Sequence, residues 1–190
     1  MLDPLSTWTS TLKALPSVDS QSTGAQNFAQ ALGDLMNKVQ GGATGSPGIF
    51  AFAVPIMKAQ LMTLTPTGGP EWATKLATGW QTACTASIIT PGTVSNPAWT
   101  ASGVDVLTLP TAAATITTIS AAGAALSSSL SAVAQIFQAS NPDPGEVANA
   151  PEKMAKAFRD ATLLFQFTCI GLVLAPPAPP FPLPLPVSAM

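Results

Sequence analysis

Between Lys75 and Asp143 the chain carries one charged side chain, Asp105. Charged side chains are what keep a free protein surface in water, and they make up about a quarter of a typical domain. A stretch of 67 residues with a single charge is therefore hard to leave mostly exposed. Either Ser and Thr hydroxyls coat it, or other protein or lipid covers it; burial within an assembly is the favoured reading. The whole chain follows the same trend. Of its 190 residues 8% are charged, with 7 Lys and Arg against 9 Asp and Glu. The apolar share, 47%, is ordinary, so Ser, Thr, Ala, Gly and Pro stand where charges would be. The length suits one ordinary domain with a real core.

These totals exclude several kinds of chemistry. A net charge of -2 does not suit a basic nucleic-acid module. The chain has no His and no Tyr, which removes the imidazole base, the His metal ligand and the phenol. Cys84 and Cys169 lie far apart and neither sits in a CxxC, so both read as small buried apolar residues. No nucleophile elbow, Walker loop or dinucleotide fingerprint occurs. GGATGSPG, residues 41–48, is Gly-rich but lacks the Lys that would grip a phosphate, and reads as a connector. Asp34 and Asp105 could meet as a carboxylate pair only by accident of folding. The expectation is no enzyme, no cofactor, no metal, no small-molecule substrate and no nucleic acid. The opening MLDPLSTWTSTLK has no apolar run of the signal-peptide kind, and synthesis in a reducing cytoplasm is expected.

Helical periodicity dominates the pattern. Asp3-Pro4 reads as a cap and first turn for a helix to Leu15, with Leu5, Trp8, Leu12 and Leu15 on one stripe. Phe28, Leu32, Leu35, Met36 and Val39 mark a second helix, with Asp34 and Lys38 placed to pair. GIFAFAVPIMKAQLMTL reads either as one helix kinked at Pro55 or as a strand over 49–54 followed by a helix. Trp72, Leu76, Trp80 and Cys84 define a helix opening at Pro70, with Glu71 and Lys75 paired. The β-branched run Ile88-Ile89-Thr90 ends it. Residues 91–110 form an irregular insertion in which Val104, Val106, Leu107 and Leu109 could make a short extended segment. Pro110 is expected to open a long Ala/Ser/Thr helix to Ala139. Pro151 is expected to open a last helix, charged from Glu152 to Asp160 and uncharged from Ala161 to Ala175, with Glu152 and Lys156 paired. That uncharged span is too short for the roughly 30 Å core of a bilayer.

The fold expected is mostly α: a bundle of about five or six helices forming a single domain over 1–175, with an extended Pro-rich arm over 176–190. APPAPPFPLPLP (residues 175–186) holds seven of the 19 prolines, a density that favours polyproline II. Large apolar residues separate its prolines. Phe181, Leu183, Leu185 and Val187, together with Trp99 in the insertion, are the expected partner-binding residues. The partners expected are copies of this chain or other structural subunits, the arm lying on a neighbour. The alternative is a membrane-associated or secreted interaction protein anchored through 161–186.

Sparse charge, abundant Ala, Thr, Ser and Gly, and a Pro-rich arm give the whole chain a resemblance, in compositional style, to minor structural subunits of tailed bacteriophages and contractile injection machines. That resemblance implies a non-enzymatic subunit of a capsid, neck, tail or baseplate, located in a virion or assembled particle and made in a bacterial host's cytoplasm.

Overall fold

A computed structural model of the chain describes residues 2–39, 49–64, 71–90, 107–110, 115–174 and 181–188. Within them are six helices: α1 (Leu5–Lys13), α2 (Gln21–Met36), α3 (Val54–Met62), α4 (Glu71–Thr85), α5 (Ile119–Gln138) and α6 (Pro144–Leu163). Each packs against its neighbours in sequence, and α1 packs against α6, so the six close into a ring. Asp3 helps to close it: Lys38 of the α2 end bonds its carboxylate at 2.9 Å, and Arg159 of α6 donates to its carbonyl at 3.1 Å.

Aromatic side chains fill the inside of the ring. Phe158 of α6 meets Phe28 of α2 and Trp80 of α4 edge-on, at centroid distances of 5.9 and 6.3 Å. Phe165, just past α6, stacks on Trp80 at 5.3 Å. Leu32, Met36, Met57, Leu126 and Leu130 pack around this group and are wholly buried. Two glycines set how closely the ring is drawn. A Cβ at Gly33 of α2 would overlap Val54 of α3, and one at Gly123 of α5 would overlap the Gln81 amide of α4. Gln81 lies over Gly123 and donates to the Ile119 carbonyl at 3.1 Å.

The remaining elements are strands. β1 (Ile49–Ala51) pairs antiparallel with β2 (Ile88–Thr90). This ribbon buries Phe50 and Ile89. A second antiparallel sheet is built on β5 (Gln166–Leu174), which pairs with β3 (Leu107–Pro110), β4 (Thr115–Ile116) and β6 (Phe181–Ser188). Thr117 and Thr118, at the head of α5, pin the start of β5. The Thr117 N–H donates to the Gln166 carbonyl at 2.9 Å, and the Thr118 hydroxyl donates to the Leu164 carbonyl and accepts from the Gln166 N–H.

Several expectations change at element ends. Segment 49–62 is a strand followed by a helix, with Pro55 in the first turn of α3, where its missing N–H costs nothing. α5 starts at Ile119 rather than Pro110, because the β-branched run 115–118 pairs with β5 instead. α6 starts at Pro144, with Asp143 as its cap, and continues through Pro151. Burial of Ala150 on one side of that proline, and of Ala155 and Phe158 on the other, overrides the local penalty of about 3 kcal/mol. The helix expected over 161–175 stops at Leu163, and its apolar residues form β5. Aromatic and β-branched residues from Phe165 onward favour that strand.

Pairings shift as well. Glu71 and Lys75 pair at 3.0 Å as expected. Asp34 accepts instead from Gln30 at 2.8 Å, since Lys38 reaches Asp3. Asp3 does not cap α1, whose cap is Pro4. Lys156 pairs with Asp160 rather than Glu152, and Glu152 faces Lys13.

Gly33→Ala is expected to lower stability by about 1–3 kcal/mol, because Val54 is β-branched and cannot turn away. Phe158→Ala, which empties the centre of the ring, should cost about 3–5 kcal/mol. Urea unfolding of each variant against the parent chain measures both.

Candidate interaction surface

Charges gather on one side of the ring. Lys13–Glu152, Lys38–Asp3, Lys153–Glu146 at 2.6 Å, Lys156–Asp160 and Arg159–Asp160 all lie on α1, α2 and α6 or at their ends. These pairs are mostly exposed and contribute little stability each, about 0–1 kcal/mol. Their consequence is neutralisation: among the described residues, six of the seven cations sit within 4 Å of a carboxylate.

The opposite character belongs to α5. It has no ionisable side chain. Its inner face buries Ala122, Leu126, Leu130 and Val133, while Ala121, Ala124, Ala125, Ser128, Ser129 and Ala132 are exposed. Phe137, near its end, is 54% exposed. Length and hydropathy alone would let α5 cross a membrane; here it packs between α4 and α6.

Several hydroxyls on and beside α5 are bonded within the chain, while Ser120, Ser128 and Ser129 are exposed. Ser131 donates to the Ser127 carbonyl at 2.9 Å, and Ser127 shares a bond with Thr74 of α4 at 3.2 Å. On α4, Thr82 bonds the Thr78 carbonyl and Thr85 the Gln81 carbonyl, each at 2.9 Å. An open groove between α4 and α5 is lined by Thr78, Gln81, Thr82, Thr85, Ile119 and Ser120. Most of its polar side chains already have partners. Covering such a surface costs less than covering free hydroxyls, because few hydrogen bonds to water are lost without replacement.

The expected partner-binding residues divide in two. Phe181, Leu183, Leu185 and Val187 all lie in β6, opposite Val173, Gly171, Cys169 and Phe167 of β5 in the same chain. Residues 181–188 of the arm are thus a paired strand rather than a polyproline II helix, and 176–180 fall outside the described residues. The structure brings those four onto one strand. Trp99, the connector 41–48 and Asp105 fall outside the described residues. The 161–186 segment offered as an anchor contains the end of α6 and much of the β5–β6 pair. Among the described residues no three His, Cys, Asp or Glu side chains cluster.

Cys84 is buried on α4 and free, and desolvation pushes its thiol well above the usual range. No family model, curated protein or solved structure matches the chain.

In a Cys169→Ala chain, the Cys84 thiol should not react with a water-soluble disulfide reagent in native buffer. It should react fully in denaturant, as absorbance titration would record. Prompt native reaction would mean that α4 is not packed as described.

Proposed function

We propose that this protein is a non-enzymatic structural subunit of a large assembly, joined to copies of itself or to other subunits by apolar packing. The observation carrying this reading is the uncharged outer face of α5, whose neighbouring hydroxyls are bonded back into their own helices. A free globule gains nothing from a long uncharged face, whereas a subunit that will be covered avoids desolvating ions. Charge neutralised within the chain fits the same reading, since it leaves little long-range field to steer a charged ligand. The particle proposed is a tailed-bacteriophage virion or a phage-tail-like injection machine, on compositional likeness. The alternate apolar positions of β6 (Phe181, Leu183, Leu185 and Val187) and Trp99 are the arm's and insertion's proposed share of the contact.

Ala124→Lys with Ser128→Lys tests the reading. Both positions are exposed and one helical turn apart, and Lys is a good helix former, so the isolated chain should keep its helix content and melting temperature. Assembly should be lost, because two ammonium groups would have to be buried without partners. Sedimentation of parent and variant chains, alone and mixed with material from the source particle, gives the answer. A parent chain that stays monomeric in every mixture, or a variant that assembles equally well, overturns it. Transfer of the parent chain to the detergent phase would favour the membrane reading instead.

A further inference from the structure

The prolines of β6 fall at every second position: Pro182, Pro184 and Pro186. Along an antiparallel strand, successive residues turn their N–H and C=O to opposite edges. Alternate prolines therefore strip one edge of its donors and leave the other untouched. Which edge is stripped follows from the pairing. The Thr117 N–H donates to the Gln166 carbonyl at 2.9 Å, beside the β4–β5 pairs Thr115↔Thr168 and Ile116↔Phe167. Even-numbered residues of β5 therefore face the β3 and β4 edge. Odd-numbered ones (Phe167, Cys169, Gly171 and Val173) face β6 and lie opposite Val187, Leu185, Leu183 and Phe181. All four of those have N–H groups to give. The prolines lie opposite Thr168, Ile170 and Leu172, in the pairs that exchange no hydrogen bond, and their backbones face outward.

The other side of β5 is guarded by a related device. β3 and β4 are only four and two residues long. Pro110 of β3 lies opposite Gly171, an odd-numbered residue, so its backbone also faces outward. β5, the longest strand among the described residues, is flanked on one edge by short strands and on the other by a strand whose outer edge has carbonyls and no N–H from 182 to 186.

We infer that β6 is a self-supplied sealing strand: it completes β5 with its inner edge and, through Pro182, Pro184 and Pro186, closes the sheet to strand addition by a second copy of this chain. Association of this protein therefore does not proceed by edge-to-edge β-pairing at β6. This goes beyond the proposed function, which concerns the helical face and apolar side chains of β6 rather than its backbone edge.

The test uses the full-length chain with Pro182→Thr, Pro184→Thr and Pro186→Thr together, the single Pro184→Thr chain, and Pro16→Thr as a control in an exposed loop. Sedimentation across a concentration series is read alongside the infrared band of intermolecular β-structure. The triple variant should associate at a concentration about ten- to hundredfold lower than the parent, the worth of a few backbone hydrogen bonds, and should gain the β band. The control should match the parent. A folded triple variant with the parent's mass distribution and no β band overturns the inference. Should the triple variant fail to fold, the single variant decides. The amide created at position 184 should exchange with solvent at the unprotected rate in the dilute chain. Protection of that amide in the dilute chain would place it against β5 and overturn the inference. Scoring the β band relative to the parent separates this result from any assembly through α5, which adds no strand.

Discussion

Phe165 stacked on Trp80, with Phe158 edge-on to the same indole, is the contact on which the rest of the structure depends. Phe158 belongs to α6, Trp80 to α4, and Phe165 to the two-residue step between α6 and β5. One cluster thus fixes the inside of the ring and the point where the chain leaves it. Phe28 brings in α2, and Phe50, at 6.3 Å from Phe165, brings in the β1–β2 ribbon. The cluster is selected for shape at some polar cost. The indole N–H groups of Trp8 and Trp80 are buried without a hydrogen-bond partner among the described residues, each costing about 1–3 kcal/mol. Ring contact and apolar burial must exceed that cost for the indoles to remain where they are.

With the core settled by large rings, the helices need little beyond small residues where they cross. Gly33 and Gly123 supply that closeness, and the crossing at Gly123 is filled by an amide rather than a methyl. The same economy governs the outside. Most ion pairs lie on α1, α2 and α6 or at their ends, while on α4 and α5 Thr82, Thr85 and Ser131 satisfy backbone carbonyls four residues earlier. A surface of this kind has weak preferences in direction and strong preferences in area.

How far the fold was legible depended on whether a local pattern competed with a distant partner. The helical stripes through Trp8, Leu32 and Trp80 were readable because one face of each is buried against the ring and the period survives intact. Element ends were not. Thr115 to Thr118 prefers extended backbone, yet its register is set by β5, some fifty residues away. The uncharged run after Ala161 looked like the continuation of a helix, because an apolar run has no period to distinguish helix from fully paired strand. Pro151 looked like a helix start, because the burial holding both sides of it is tertiary. For the interaction surface, the absence of charge was visible in the sequence. The bonding of Thr82, Thr85 and Ser131 back to their own helices was not, because each could equally have bonded water.

Proline illustrates how position determines what a residue contributes. In the first turn of α3, Pro55 lacks an N–H that the helix would not have used. Within α6, Pro151 removes one that it would. In β6 the alternate prolines leave the paired edge whole and empty the other. For residues 181–188 of the tail, composition alone suggests polyproline II. Their period of two, matched against a β5 strand whose even edge is already occupied, assigns them to a strand instead. The helices and the proline-edged sheet then share one device: Thr82, Thr85 and Ser131 bond back within the chain, and Pro182, Pro184 and Pro186 remove outward N–H donors. A protein built this way gains most from being covered broadly, and gains least from a partner that offers charges or a bare strand edge.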